Sequence, residues 1–328
     1  MSQILICIDE SKVDIRCLRE LLEKQGHTLT SMILPPGDAE ATIRAAAERD
    51  IVISGPERWD ARAAEACGGK VRLVIRFGVG LDNIDIPALT ERGIAVANIP
   101  GYNAPAVAEL TLLHMLNLSR GFTRAEADYR KAGVVTVGSG NLLQGKTVGL
   151  MGFGHIPRQL RRLLGGFGVR VLALDPMLTW DEARAWEVEK VEETETLFAE
   201  SDFVSLHLPL TPQTAGMVNE RLLSVMKPTA YLINTSRGGV LCEEDLLRAL
   251  AKGWLAGAGL DVTVQEPLPL HSPLFAEEKI CLTSHVGGTT LETDQRGQEM
   301  LAESILQFLA GQMPENIVNP EYVFHVNR

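Results

Sequence analysis

Residues 147–157 read TVGLMGFGHIP, and this stretch decides the class of fold. Thr147–Met151 has the β-branched and apolar composition of a buried strand. Gly152 and Gly154 follow it as a tight turn, after which a helix is predicted to begin at Arg158. Glycines let a pyrophosphate approach the backbone, while the N–H groups and the dipole at a helix N-terminus attract its negative charge. The stretch therefore predicts a strand–turn–helix unit that binds a dinucleotide.

Two residues near this turn refine the prediction. Asp175 follows the next predicted strand, where a carboxylate can accept hydrogen bonds from the adenosine ribose hydroxyls. Its charge would repel a 2′-phosphate, and Pro176 and Met177 beside it offer no cation, so NAD is favoured over NADP. Pro157 replaces the third glycine of the GxGxxG pattern. Proline is tolerated in the first turn of a helix, but we expect the helix to lie slightly further from the strand.

The same alternation of strands and helices runs along the whole chain, and it predicts an α/β fold whose parallel sheets are buried on both faces. The predicted strands are Ile4–Ile8, Thr28–Leu34, Ile51–Ser54, Val71–Phe77, Ile94–Asn98, Thr147–Met151, Arg170–Leu174, Phe203–Leu206, Ala230–Asn234, Gly257–Asp261 and Ile280–Thr283. The main predicted helices are Asp38–Arg49, Pro105–Ser119, Arg158–Phe167 and Leu291–Leu309.

The alternation breaks at Ile99-Pro100-Gly101 and again at Gly287-Gly288. We therefore expect two Rossmann-like or flavodoxin-like parallel-sheet domains, one inserted into the other. Residues 1–99 and 287–328 would form a substrate domain, and residues 100–286 would form a Rossmann domain that binds NAD. The six strands predicted within residues 100–286 are the number expected of a full dinucleotide-binding domain.

Composition excludes several classes of protein. A chain of 328 residues with 45% hydrophobic and 22% charged residues is typical of a soluble protein with two globular domains. No stretch approaches the roughly 18 uncharged apolar residues that a membrane span needs. The net charge of −11 argues against binding to nucleic acid or to an anionic membrane. The five scattered cysteines have no metal-ligand spacing, and they indicate reduced thiols in a cytoplasmic protein without a metal site.

Three further segments each follow a predicted strand of the inserted domain. They are Asn234–Gly239 (NTSRGG), Asp261–Pro269 (DVTVQEPLP) and Thr283–Gly288 (TSHVGG). Because the carboxyl ends of parallel strands meet at one edge of a sheet, Arg237, Glu266 and His285 would converge there. Arginine can grip a carboxylate at two points, and a histidine with a carboxylate partner can exchange protons with a hydroxyl near neutral pH. Singly, each residue has an ordinary structural explanation, but together they indicate an active site.

These motifs resemble those of the D-isomer-specific 2-hydroxyacid dehydrogenase family, and most closely its phosphoglycerate-dehydrogenase-like branch. The resemblance spans nearly the whole chain. Besides the three segments above, it rests on the ordered motifs Arg76–Asp85 (RFGVGLDNID), Asn103–Leu110, Gly152–Ile156 and His207–Thr211 (HLPLT).

The resemblance implies an NAD-dependent enzyme that transfers a hydride between NAD(H) and a small D-2-hydroxyacid or the matching 2-oxoacid. It implies catalytic roles for Arg237, for His285 as acid and base, and for Glu266 as the partner of His285. It implies a substrate site of Arg76, Val79, Gly80, Arg237 and His285, in which the backbone of Val79 and Gly80 binds the substrate carboxylate. The cofactor-binding residues that it implies are Gly152, Gly154, His155, Ile156, Asp175, Leu208, Pro209, Thr235, Ser236, Arg237, Asp261, His285, Gly287 and Gly288. It also implies a homodimer formed through the cofactor domain, with the segment after Ser119 as an arm.

Two alternatives stay open at the level of sequence. An NAD(H)-sensing binding protein of the corepressor type could use the same fold, although the complete set of Arg237, Glu266 and His285 argues against it. The substrate could also be phosphorylated, as in a phosphoglycerate dehydrogenase, or not, as in a glyoxylate or hydroxypyruvate reductase. Arg76 offers one cation for a phosphate, but Ser54-Gly55-Pro56 offers no second one, and Arg58 could help only if its loop folds inward.

Overall fold

The computed structural model describes residues 1–11, 13–134 and 138–326. The strands are β1 (Gln3–Ile6), β2 (Thr28–Ser31), β3 (Ile51–Ser54), β4 (Leu73–Arg76), β5 (Ala95–Ala97), β6 (Thr147–Met151), β7 (Arg170–Leu174), β8 (Glu189–Lys190), β9 (Phe203–Leu206), β10 (Tyr231–Asn234), β11 (Gly257–Leu260) and β12 (Ile280–Leu282). The α-helices are α1 (Arg16–Lys24), α2 (Ala39–Ala46), α3 (Ala61–Cys67), α4 (Ile86–Glu91), α5 (Ala104–Arg120), α6 (Phe122–Ala132), α7 (His155–Leu163), α8 (Trp180–Ala185), α9 (Thr194–Glu200), α10 (Glu220–Leu223), α11 (Glu243–Lys252) and α12 (Leu291–Leu309). Short 3₁₀ helices span Leu164–Gly166, Gly238–Val240, Pro273–Phe275 and Pro320–Phe324.

The chain divides into two compact units. Unit 1 consists of Met1–Tyr102 and Thr289–Arg328, and unit 2 consists of Asn103–Gly288. The boundaries expected from the sequence lay at residues 99/100 and 286/287. Among the helices of the described residues, none combines the length and the apolar character that a membrane span requires.

Unit 1 is built on a parallel sheet of five strands in the order β2-β1-β3-β4-β5, which is the flavodoxin-like order. Successive side chains of a strand point to opposite faces, and both faces are covered here. Ile4 and Ile6 pack with α1 and α12 on one face, whereas Leu5 packs with α2 and α3 on the other. All three side chains are fully buried, and each such burial contributes about 1.5–3 kcal/mol.

Unit 2 is built on a parallel sheet of seven strands in the order β12-β11-β10-β9-β6-β7-β8. The chain first extends the sheet from β6 to β7 and β8, and it then returns to the other side of β6 with β9. The strand order therefore reverses between β6 and β9, and ligands of such sheets bind at the carboxyl ends of the strands at this point. The predicted fold class, two α/β domains with parallel sheets, is confirmed by the two sheets.

Several predicted elements were wrong in their bounds. The predicted strand Ile4–Ile8 ends at Ile6. Cys7 and Ile8 lie in the loop that follows, and they resemble strand residues in the sequence because they too are apolar and buried. Helix α7 begins at His155 rather than at Arg158. Pro157 consequently lies in the first helical turn, where its missing N–H costs no hydrogen bond. The seventh strand of unit 2, β8, was not predicted, since its two residues carry no periodic pattern.

Candidate active site

The loop after β10 holds Arg237 through the side chain of Asn234, the last residue of that strand. Asn234 is fully buried, and its Nδ2 donates a hydrogen bond to the Arg237 carbonyl oxygen at 3.0 Å. Its Oδ1 accepts hydrogen bonds from the backbone N–H of Ser236 at 3.1 Å and from the Ser236 hydroxyl at 2.8 Å. One buried amide therefore fixes the backbone of the whole turn from Asn234 to Arg237. The position at which the half-buried Arg237 side chain leaves the backbone is fixed with it.

Gly238 lets the loop after β10 pack directly on the loop after β11. A side chain at this position would overlap the carbonyl group of Thr263, so only glycine fits. The close approach brings Arg237 near enough to Glu266 for its positive charge to influence the ionisation of that carboxyl group. Two of the three predicted catalytic residues are thus brought together by a glycine between two strand-end loops.

Glu266 and His285 form a hydrogen-bonded pair, with Nδ1 of His285 lying 2.7 Å from Oε2 of Glu266. The other carboxylate oxygen accepts the backbone N–H of Thr263 at 3.1 Å. Burial raises the pKa of Glu266, but the hydrogen bond and the charge of His285, the Thr263 N–H and the charge of Arg237 outweigh it and hold the pKa below its usual value. Because the carboxylate can only accept, Nδ1 of His285 donates, and Nε2 is the ring atom available for proton exchange.

The backbone of His285 is held in an unusual conformation by Asp261. His285 has a φ of 57°, in the left-handed region that costs a residue with a side chain about 1–2 kcal/mol. The buried carboxylate of Asp261 accepts the N–H groups of Val286 and Gly287, each at 2.9 Å, and the carbonyl oxygen of Asp261 accepts the N–H of His285 at 2.7 Å. Successive N–H groups that cradle an anion in this way stabilise the conformation of the His285 loop.

The turn after β6 has the features of a pyrophosphate site. Gly152 has a φ of 96°, and a Cβ there would lie 2.5 Å from the carbonyl oxygen of His207, so this position requires glycine. Gly154 is exposed, and a Cβ there would meet no atom within 4 Å, which leaves open space above the start of α7. Asp175 ties the turn to β7, because its Oδ2 accepts the N–H of Phe153 at 2.7 Å.

Comparisons with known proteins agree with this geometry. The family model of the D-isomer specific 2-hydroxyacid dehydrogenase, NAD binding domain, matches residues 112–287. A glyoxylate reductase of Korarchaeum cryptofilum is 40% identical over 269 residues, which cover 80% of this chain and 80% of that protein. The chain belongs to the D-isomer-specific 2-hydroxyacid dehydrogenase family.

A second relative and one solved structure agree with this family. A D-3-phosphoglycerate dehydrogenase of Methanocaldococcus jannaschii is 36% identical over 251 residues, which cover 76% of this chain but only 48% of that longer protein. The crystal structure of an NAD⁺-bound 3-phosphoglycerate dehydrogenase from Entamoeba histolytica superposes with a TM-score of 0.80 at 28% identity, covering 97% of this chain and 98% of that one. The dehydrogenase is thus an NAD-dependent oxidoreductase of 2-hydroxyacids, and no comparison favours the corepressor alternative.

The residues of unit 2 fit NAD. The open space above Gly154, the N-terminus of α7 with His155 and Ile156, and the half-exposed carboxylate of Asp175 suit a pyrophosphate and a ribose. NAD would supply this dehydrogenase with the acceptor or donor of the hydride. The half-buried Leu208 and the exposed Pro209 follow β9, at the point where the strand order reverses.

His207 is a residue whose environment could not be read from its motif. Its Nε2 lies 2.9 Å from the hydroxyl of Ser205, while its Nδ1 is buried without a hydrogen-bond partner among the described residues. Burial lowers the pKa of His207 to about 3, so the ring is neutral at the pH of most cells. It therefore adds no positive charge to the edge of the sheet that carries the pyrophosphate turn.

Two of the expected cofactor residues have their polar groups engaged inside unit 2. The hydroxyl of the buried Thr235 lies 3.0 Å from that of Thr111 in α5. Oδ1 of Asp261 accepts the Thr283 hydroxyl at 2.6 Å in addition to the Val286 N–H. Both residues therefore shape the loops that carry Arg237 and His285, a contribution that the sequence motifs did not reveal.

The remaining residues that were expected in a substrate site lie in unit 1. Arg76 is the half-buried last residue of β4, and its Nη1 donates to the Ser54 carbonyl oxygen at 3.4 Å. The carbonyl oxygen of Val79 accepts a hydrogen bond from Nδ2 of Asn98 at 2.7 Å. Since the C=O and N–H of one trans peptide point in opposite directions, this bond turns the N–H of Gly80 away from Asn98. The Val79-Gly80 peptide is therefore held in one orientation.

Proposed function

We propose that this dehydrogenase reduces a short, non-phosphorylated 2-oxoacid such as glyoxylate or hydroxypyruvate with NADH. The observation that carries the proposal is the pair formed by Glu266 and His285, joined at 2.7 Å beside the charge of Arg237. We further propose that the protein acts in the cytoplasm, which its five free cysteines support, and as a homodimer.

In this proposal, unit 2 supplies the chemistry. Arg237 binds the carboxylate of the 2-oxoacid and polarises the oxygen at C2. Bound NADH would supply the hydride that C2 accepts. As the carbonyl π electrons move to the oxygen at C2, the proton on Nε2 of His285 passes to that oxygen. Glu266 stabilises the imidazolium before the transfer and orients the ring throughout. Because negative charge develops on the oxygen in the transition state, a fixed cation nearby accelerates the chemical step.

The cations of unit 1 favour a substrate without a phosphate. Recognition of a phosphate usually takes several cations or N–H groups, and the loop Ser54-Gly55-Pro56 carries no cation. Arg58, which could have compensated, has its Nε 4.0 Å from Oδ2 of Asp60. The glyoxylate reductase relative is 40% identical to this chain and the D-3-phosphoglycerate dehydrogenase relative is 36% identical, which favours the same substrate class. Arg76 is the observation that keeps 3-phosphohydroxypyruvate as a second candidate.

A substrate panel tests the proposal. Steady-state kcat/KM would be measured with NADH and glyoxylate, hydroxypyruvate, 3-phosphohydroxypyruvate, pyruvate and bulkier 2-oxoacids. We expect the highest value for glyoxylate or hydroxypyruvate. A higher value for 3-phosphohydroxypyruvate would replace the proposed substrate with the second candidate. Binding of NADH without turnover of any 2-oxoacid would contradict the proposed activity itself.

Variants assign the roles within the same assay. His285→Ala should lose about 10²–10⁴-fold in kcat, the usual contribution of general acid–base transfer. Arg237→Lys should lose far more activity than its retained charge suggests, because lysine cannot form the planar, bidentate pair of hydrogen bonds that arginine forms with a carboxylate. Arg58→Gln is the matched control, since the proposal gives that cation no role. Full activity in His285→Ala would remove the residue from the mechanism.

A further inference from the structure

Helix α5 places a buried histidine beside the strand ends from which the catalytic loops begin. His114 is 2% exposed, and its Nε2 lies 3.3 Å from the hydroxyl oxygen of Thr283, directly after β12. The side chain packs over Gly259 of β11, where an added Cβ would lie 2.9 Å from each of Cβ, Cγ and Nδ1 of His114. Glycine at this position of the strand therefore makes the space that the histidine ring fills.

The directions of the hydrogen bonds follow from counting protons. The Thr283 hydroxyl has one proton, which it donates to Oδ1 of Asp261 at 2.6 Å. Toward His114 the hydroxyl oxygen can only accept, so Nε2 of His114 must carry a proton. Burial lowers the pKa of His114, although the charge of Asp261 opposes this, and the ring is thereby kept neutral with its proton on Nε2. The contact is directional, running from His114 to Thr283 and on to Asp261.

Asp261 connects the hydrogen bond between His114 and Thr283 to the loop that carries His285. Its two carboxylate oxygens receive the N–H groups of Val286 and Gly287, and its carbonyl oxygen receives the N–H of His285. These bonds maintain the left-handed backbone of His285, whose ring then meets Glu266. A rotation of the Asp261 carboxylate would therefore change the direction of the His285 side chain.

We propose that His114 is a positioning residue for proton and hydride transfer, acting through Thr283 and Asp261 on the loop that carries His285. The proposal rests on the proposed function, in which His285 exchanges the proton. It assigns His114 no contact with substrate or cofactor. If His114 only filled space beside Gly259, a leucine of similar volume would serve as well.

Paired variants separate positioning from packing. His114→Leu and Thr283→Val remove the donor and the relaying hydroxyl, whereas His114→Gln and Thr283→Ser keep them. We expect kcat to fall about tenfold in the first two, as small misplacements of catalytic groups do, and to stay near the wild-type value in the second two. The double variant His114→Leu/Thr283→Val should lose little more than either single variant, because both act on one chain of contacts. The dissociation constant of NADH, from fluorescence titration, should change little in any of them.

Two readouts respond to positioning and not to a loss of stability. With NADH deuterated at the transferred hydrogen, the isotope effect on kcat should rise in His114→Leu, since the chemical step becomes slower. The Cε1–H resonance of His285 in the substrate-free protein should move in His114→Leu and stay in place in His114→Gln. An unchanged resonance with a lowered melting temperature would overturn the proposal. The resonance is measured without turnover. An inactive wild-type enzyme would therefore contradict the proposed function, while the resonance would still test the positioning role of His114.

Discussion

The pKa of Glu266 links the chemistry of one side chain to that of another. The hydrogen bond and the charge of His285 are the main influences that lower it against the opposing effect of burial. Electrostatic coupling is reciprocal, so the same energy that favours the carboxylate also favours the imidazolium. Glu266→Gln puts a neutral amide of the same shape in place of the carboxylate and so removes the negative charge that lies beside the His285 ring.

We expect Glu266→Gln to shift both pH–rate profiles in the same direction. Reduction of a 2-oxoacid needs the protonated ring, so its rate falls as pH rises, and this alkaline limb should move to lower pH when the carboxylate that stabilises the positive ring is gone. Oxidation of the 2-hydroxyacid needs the neutral ring, so its acidic limb should also move to lower pH. Rates measured in both directions, together with thermal melts, check this. A stability loss with unmoved profiles would show that Glu266 supports the fold and not the proton transfer.

At the scale of elements, the segment from β6 to Asp175 was largely predictable from the sequence. The contacts through which α5 supports the neighbouring catalytic loops were not. The strands β6 and β7 were predicted with their observed bounds, since each is a short apolar run that ends at a glycine or an aspartate. The role of α5 had no such signal. Its His114 meets Thr283 across 169 positions of the chain, and an isolated polar residue in an apolar helix does not reveal a partner that far away.

Asp175 also determines a prediction about the cofactor. Its carboxylate is held in place by the N–H groups of Phe153 and Met177, both at 2.7 Å, so its negative charge would face a 2′-phosphate directly. We expect a higher kcat/KM with NADH than with NADPH. Asp175→Asn removes the charge but keeps one hydrogen-bond acceptor. It should lower the ratio of kcat/KM with NADH to kcat/KM with NADPH about tenfold, which corresponds to roughly 1.4 kcal/mol.

Asp175→Ala serves as the comparison, because it also removes the acceptor for the Phe153 N–H. It should narrow the ratio as well, but with a larger rise in the KM for NADH. Steady-state kinetics with both cofactors give all three ratios. Equal values for the two cofactors in the wild-type enzyme, or an unchanged ratio in Asp175→Asn, would show that this carboxylate does not select the cofactor.

At the scale of the whole molecule, the surface of unit 2 carries an apolar face that the described chain does not cover. None of the eleven residues of α6 is buried. Phe122 and Tyr129, seven positions apart and therefore on one side of the helix, are 65% and 64% exposed. Leu113 on the preceding helix is 59% exposed. Large exposed apolar side chains on two successive helices are typical of surfaces at which proteins associate.

We expect the protein to be a dimer in solution, with α6 in the interface between two copies. Light scattering coupled to size exclusion should give twice the chain mass for the wild type. It should give a monomer for the double variant Phe122→Glu/Tyr129→Glu, because two carboxylates from each copy would be buried without partners. Phe324→Glu is the matched control, since this aromatic residue is 77% exposed but lies in unit 1. A wild-type monomer, or a double variant that keeps the mass of the dimer, would remove α6 from the interface. Because no residue of α6 is buried within its own chain, circular dichroism should show the double variant to be as well folded as the control.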